Sequence, residues 1–155
     1  MRPFLRAAIR IVECLFPLVC LVVGIATWAS AEGERIAVVV HPSSALISLK
    51  AADVRAIYLG ERQFVGNDHL MPLHMPEGRW KTAFLHQVVG KAPKEYKLYW
   101  VQRVFQDGAS LPKALTGPDA IIAEVAADVS SIGYVPERVA QDTRSVKVLF
   151  VVPGP

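Results

Sequence analysis

Arg35-Ile36-Ala37-Val38-Val39-Val40-His41-Pro42-Ser43-Ser44 is the stretch on which the fold turns: a continuous β-branched run that stops in a polar turn. A run without alternation suits a strand buried on both faces, because only a sheet covered on each side hides every successive side chain. The period then changes. From about Lys50, the apolar residues Val54, Ile57 and Tyr58 recur at helical spacing, and Gly60 stands where a helix would stop.

Working outward, Gly66-Asn67-Asp68 reads as a turn, and His69 to Met75 as a short strand that Pro72 places near a sheet edge. Trp80, Phe84 and Val88 fall four residues apart, with Leu85 and Val89 beside them and Gly90 as C-cap, which predicts a second helix. A third, from Lys94 to about Gln106, should bury Tyr96, Trp100 and Val104, with Tyr99 flanking and Lys94 and Lys97 facing water. Gly117-Pro118-Asp119 combines an N-cap glycine, a proline at the first helical position and an acid in the first turn. The fourth helix that follows should reach about Ala127 and bury Ile121, Ile122 and Val125. Ser131 to Val135 and Val146 to Val152 close the chain as strands. Strands alternating with helices predict an α/β domain with a largely parallel or mixed sheet flanked by helices. Glu32 to Glu34, Asp107 to Thr116 and the Pro153-Gly154-Pro155 tail are expected to be its flexible pieces, and no internal repeat or low-complexity tract is present.

Ahead of this domain, Arg2, Arg6 and Arg10 precede the apolar run Leu15 to Ala26, and Ala29-Ser30-Ala31 supplies small residues for a signal peptidase. Residues 1–31 therefore read as a cleavable signal peptide and residues 32–155 as one exported, periplasmic domain. The rival is a retained anchor. Cys14 to Ala31 is 18 residues, at the lower edge of the ~17–25 that span a bilayer, but Pro17, Gly24, Thr27 and Ser30 weaken it. Lipidation at Cys20 is disfavoured by the bulk of Val19.

Without the leader the chain has 124 residues, Lys plus Arg falls from 17 to 14, Asp plus Glu from 14 to 13, and the net charge is about +1. The remaining cations are scattered, with no stripe of interleaved aromatics, so nucleic acid is excluded as a partner. Both cysteines leave with the leader, and disulfides, thiol catalysis and cysteine-ligated metal go with them.

The order Val38-Val39-Val40-His41-Pro42, Leu49 with Val54, Ile57, Tyr58, Leu59 and Gly60, Phe84 with Val88, Val89 and Gly90, Trp100, and Ile132-Gly133-Tyr134-Val135 resembles the PstS-like substrate-binding proteins of phosphate ABC transporters. The resemblance covers nearly all of residues 32–155. It implies a type II periplasmic-binding-protein fold, in which two α/β lobes close over an oxyanion, with this chain carrying a single lobe. It implies a noncatalytic solute-binding role, phosphate or a related oxyanion as ligand, no cofactor, and an ABC permease or another periplasmic protein as partner. Where the family sets Ser-Gly-Thr at a helix N-terminus, this chain has Pro76-Glu77-Gly78-Arg79-Trp80.

Two oxyanion sites present themselves. At the first, the amides after Gly78 and the guanidinium of Arg79 can grip an anion, while Glu77 competes for the same helix end. At the second, Ser43 and Ser44 follow the first strand, with His41 beside them and Arg62 after the neighbouring helix; the same serines can instead satisfy turn backbone. A lone lobe leaves a ligand half exposed, so tight binding needs a second surface, a homodimer or a partner. A metal reading rests on Asp68, His69, His74 and His86, with Met71 and Met75 as a copper variant, yet residues five apart on a strand point to opposite faces. No glycine-framed nucleophile elbow surrounds either serine, so no enzyme is expected. The alternative to a solute receptor is an interaction or accessory module that keeps the fold and has lost the ligand.

Overall fold

The computed structural model describes residues 33–155 except 45, 47 and 48. The leader and its cleavage site lie outside the described residues. Gly33–Pro155 forms one compact unit, and none of its described helices is long and apolar enough to cross a membrane.

A five-stranded mixed sheet runs in the order β5-β4-β6-β1-β7: β5 is Lys113–Ala114, β4 Met71–His74, β6 Ser131–Pro136, β1 Arg35–Val40 and β7 Lys147–Pro153. A hairpin, β2 (Phe64–Val65) with β3 (Asp68–His69), stands apart around the Gly66-Asn67 turn. The helices are α1 (Ala51–Tyr58), α2 (Arg79–Phe84) continued by a π-helical turn at Leu85–Val89, α3 (Pro93–Asp107), α4 (Pro118–Ala127) and α5 (Glu137–Gln141). Gly90, at φ 71°, ends the π turn in the left-handed conformation that glycine adopts freely.

Strand direction decides what meets what. β4 is parallel to β5 and β6, whereas β1 is antiparallel to both β6 and β7. The carboxyl ends of β4, β5, β6 and β7 therefore share one end of the sheet, and the turn after β1 lies at the other. The turn at Ser43-Ser44, which sequence placed outside the strands' carboxyl ends, is at the opposite end from Gly78 and Arg79.

Both faces are covered, as the apolar run of β1 predicts. Gly133 faces α4, where Ile121 sits so close that a Cβ on residue 133 would lie 2.6 Å from its Cγ2. Tyr134, one residue on, points the other way and stacks on Phe84 of α2 at 3.8 Å between ring centres, with Tyr58 of α1 edge-on to both.

α3 also terminates α1. The last carbonyls of a helix lack intrahelical donors. Here Tyr96 Oη donates to the Tyr58 carbonyl at 2.8 Å, Tyr99 Oη to that of Leu59 at 2.7 Å and Arg103 Nη2 to that of Gly60 at 3.3 Å. These donors are spaced i, i+3 and i+7, so one face of α3 caps three successive carbonyls.

Several features depart from the sequence reading: Ile122, expected to be buried, is half-buried, and Pro153 of the expected flexible tail ends β7. His69 to Met75 is two strands, broken at Leu70. Asp107 to Thr116, expected to be flexible, contributes β5, two exposed residues that pair with Leu73 and His74. α5 was not foreseen. Trp80 and Val104 are half-buried, because Trp80 lies in the first turn of its helix at the sheet's end and α3 buries only the narrow face that meets α1.

Candidate functional site

Three helices begin where parallel strands end. α2 follows β4, α4 follows β5 and α5 follows β6, each without a side-chain hydrogen bond at its N-cap. Amide N–H groups and the positive ends of three helices thus gather at the carboxyl edge of the sheet, where open α/β folds hold their ligands.

Gly78 is the N-cap of α2 at φ 153°, a conformation side-chain-bearing residues avoid, and the space beside it is open. Glu77, the competitor for these amides, instead reaches forward to Lys81 one turn along. Arg79 lies over the Trp80 ring at 5.3 Å and pairs with Glu34 at 2.8 Å. Glu34 also receives Arg138 of α5 at 3.5 Å, and Arg35 pairs with Glu137 at 2.6 Å. Gly154 holds the segment in place: its N–H donates to the Glu34 carbonyl at 2.7 Å. Three guanidinium groups and two carboxylates therefore meet in these pairs. The sequence reading singled out Gly78 and Arg79 but not Glu34 and Arg138, which come beside them only through the β1–β7 and β1–β6 pairings.

The other pair is arranged as turn chemistry. The Ser43 N–H donates to His41 Nδ1 at 3.1 Å, and the Ser44 N–H to the His41 carbonyl at 2.9 Å. Ser44 is buried and its Oγ accepts from the Leu46 N–H at 3.3 Å. Arg62 is bound to Asp53, whose carboxylate also accepts the Lys50 N–H at 3.0 Å at the start of α1.

His74 ends β4 in the aromatic layer. Tyr96 spends its one hydroxyl proton on the Tyr58 carbonyl, so it accepts from His74, which makes Nε2 the protonated nitrogen, at 2.9 Å. Nδ1 then accepts the Tyr134 hydroxyl at 3.1 Å. Burial, aided by the charge of Lys81, lowers the imidazole pKa to about 3, so the ring stays neutral. Burial likewise pushes the Tyr58, Tyr96 and Tyr134 phenols up, which keeps them as donors. Both His74 nitrogens are engaged, while His69 lies exposed against Phe64 on the hairpin. Among the described residues no cluster of three or more His, Cys, Asp or Glu is placed to hold a metal.

Solved structures share this fold. A Clostridium perfringens protein described as a phosphate ABC transporter substrate-binding protein, with phosphate bound, superimposes on 75% of this chain with a TM-score of 0.58 at 17% identity. PstS from Borrelia burgdorferi gives 0.53 at 13%, and a protein from Planctomyces limnophilus described as phosphate binding gives 0.52 at 11%, each again over 75% of the chain. The match spans 44%, 46% and 40% of those three chains, so this domain corresponds to a single lobe of a periplasmic-binding-protein structure. At these identities the likeness is one of fold. No family model and no curated protein sequence matches the chain.

Proposed function

We propose that this protein is a noncatalytic, PstS-like solute-binding lobe, exported to the periplasm by its leader, that receives phosphate or a related oxyanion at the Gly78-Arg79 turn and serves an ABC permease or another periplasmic partner. The observation that carries this reading is the convergence of the open α2 N-terminus and Arg79 at the carboxyl ends of the strands, on a fold shared with a phosphate-bound structure. The Arg79–Glu34 pair does not oppose it strongly. Their side chains are 61% and 33% exposed, and opening an exposed ion pair costs about 0–1 kcal/mol, less than a charge-assisted hydrogen bond to phosphate returns.

Calorimetry of the purified protein with phosphate and sulfate tests the site. Phosphate should give heat, Arg79→Ala should weaken binding more than about tenfold, and Glu34→Gln, which frees the guanidinium, should tighten it. Silence with phosphate in both the native protein and Glu34→Gln refutes the reading.

One observation favours an interaction module instead. Leu98, Val101 and Phe105 of α3 are 64%, 43% and 85% exposed and lie i, i+3 and i+7 apart, opposite the face that buries Tyr96 and Trp100. A helix apolar on its outer face suits a docking surface. A change of mass in solution on Phe105→Ser, with no phosphate heat, would support that role over the receptor.

A further inference from the structure

The geometry points to a second ligand site, a cavity between α2 and α3 that takes an organic anion with an apolar or aromatic body. The cavity measures about 490 Å³, within the ~300–1,000 Å³ of small-molecule sites. His74 and Ala114, the last residues of β4 and β5, line it, so it opens at the carboxyl edge of two adjacent parallel strands. It adjoins the Gly78-Arg79 turn at Glu77 but is distinct from it: neither Gly78 nor Arg79 lines it, and Arg79 is drawn to Glu34.

Two kinds of wall define the ligand. Leu111 and Pro112 offer apolar surface at the rim, over a floor formed by the buried Leu85 and Trp100. Lys81 and the exposed Lys94 and Lys97 also line it, against one acidic residue, Glu77. An inorganic ion would leave the apolar wall wet, and a neutral apolar molecule would leave the ammonium groups unanswered, so the chemistry common to both walls is a carboxylate or similar head on a hydrophobic body.

Lys81 is the anchor. Its side chain is only 14% exposed, while that of Glu77, its partner, is 80% exposed. A mostly buried lysine side chain whose ammonium is held by a carboxylate standing in solvent is poised for exchange, because Glu77 can swing out and rehydrate as the head of a ligand replaces it.

The test uses 2-naphthoate as probe and naphthalene-2-methanol as its uncharged counterpart, with calorimetry on the purified protein. Naphthoate should bind with Kd below ~1 mM and the alcohol about tenfold more weakly. Lys81→Gln should weaken naphthoate by more than about tenfold and Lys97→Gln by several-fold. Leu111→Asp sets a carboxylate at an exposed rim position where misfolding is not expected, and it should repel the probe. Arg79→Ala should leave naphthoate unchanged, which separates this site from the phosphate turn whether or not that turn binds. Absence of naphthoate binding at ~10 mM, or equal binding by the native protein and the Lys81→Gln/Lys97→Gln double variant, overturns the proposal.

Discussion

Acid should destabilise this protein through His74. Its folded pKa of about 3 lies below the ordinary 6.5, so between those values the unfolded chain binds a proton that the native protein refuses. Each pH unit in that window shifts the folding equilibrium about tenfold toward the unfolded state. The contribution is intact above pH ~6.5, reaches a loss of about 2 kcal/mol at pH 5 and stops growing below about pH 3. A proton on Nδ1 would also displace the Tyr134 hydroxyl from its acceptor and place a charge close to Lys81. Urea unfolding of the native protein and of His74→Gln at intervals from pH 7.5 to 4.5 measures this. The amide offers a donor and an acceptor to Tyr96 and Tyr134 without titrating, and carboxylates elsewhere affect both proteins alike. The variant should be less stable at pH 7.5, having lost ring packing on Tyr58 and Phe84, and the gap should narrow by about 2 kcal/mol at pH 5. Parallel stability curves across that range would refute the neutral, buried imidazole.

Gly133→Ala drives a Cβ to 2.6 Å from Ile121 Cγ2, so α4 must lift from β6. A loss of about 1–3 kcal/mol is expected, seen as a lower thermal midpoint with phosphate and naphthoate affinities unchanged. Tyr99→Phe removes the donor 2.7 Å from the Leu59 carbonyl and should cost about 1 kcal/mol, with faster amide exchange at the end of α1 as its local signature.

The order of the principal elements was legible before any coordinates, because side chains three and four apart on a helix, or two apart on a strand, carry their own period. Val54, Ile57 and Tyr58 announce α1, and Gly117-Pro118-Asp119 marks the start of α4 to within a residue. The short pieces were not legible. β5 is two exposed residues whose only structural signal is pairing with Leu73 and His74, about forty positions away, and α5 is too short to establish a period.

The candidate residues were likewise found by type and sorted only by the fold. Local sequence determines that Ser43 and Ser44 form a turn and that Gly78 opens a helix. Nothing local determines that β1 runs antiparallel to its neighbours, and that one direction sends the two candidates to opposite ends of the sheet. The same long-range pairings bring Glu34 to Arg79, enclose His74 between two tyrosines and assemble three lysines around one cavity. Periodicity is a property of neighbours along the chain and can be read there, whereas the partners of a charge or a buried ring are chosen by strand direction and packing, which exist only once distant segments meet.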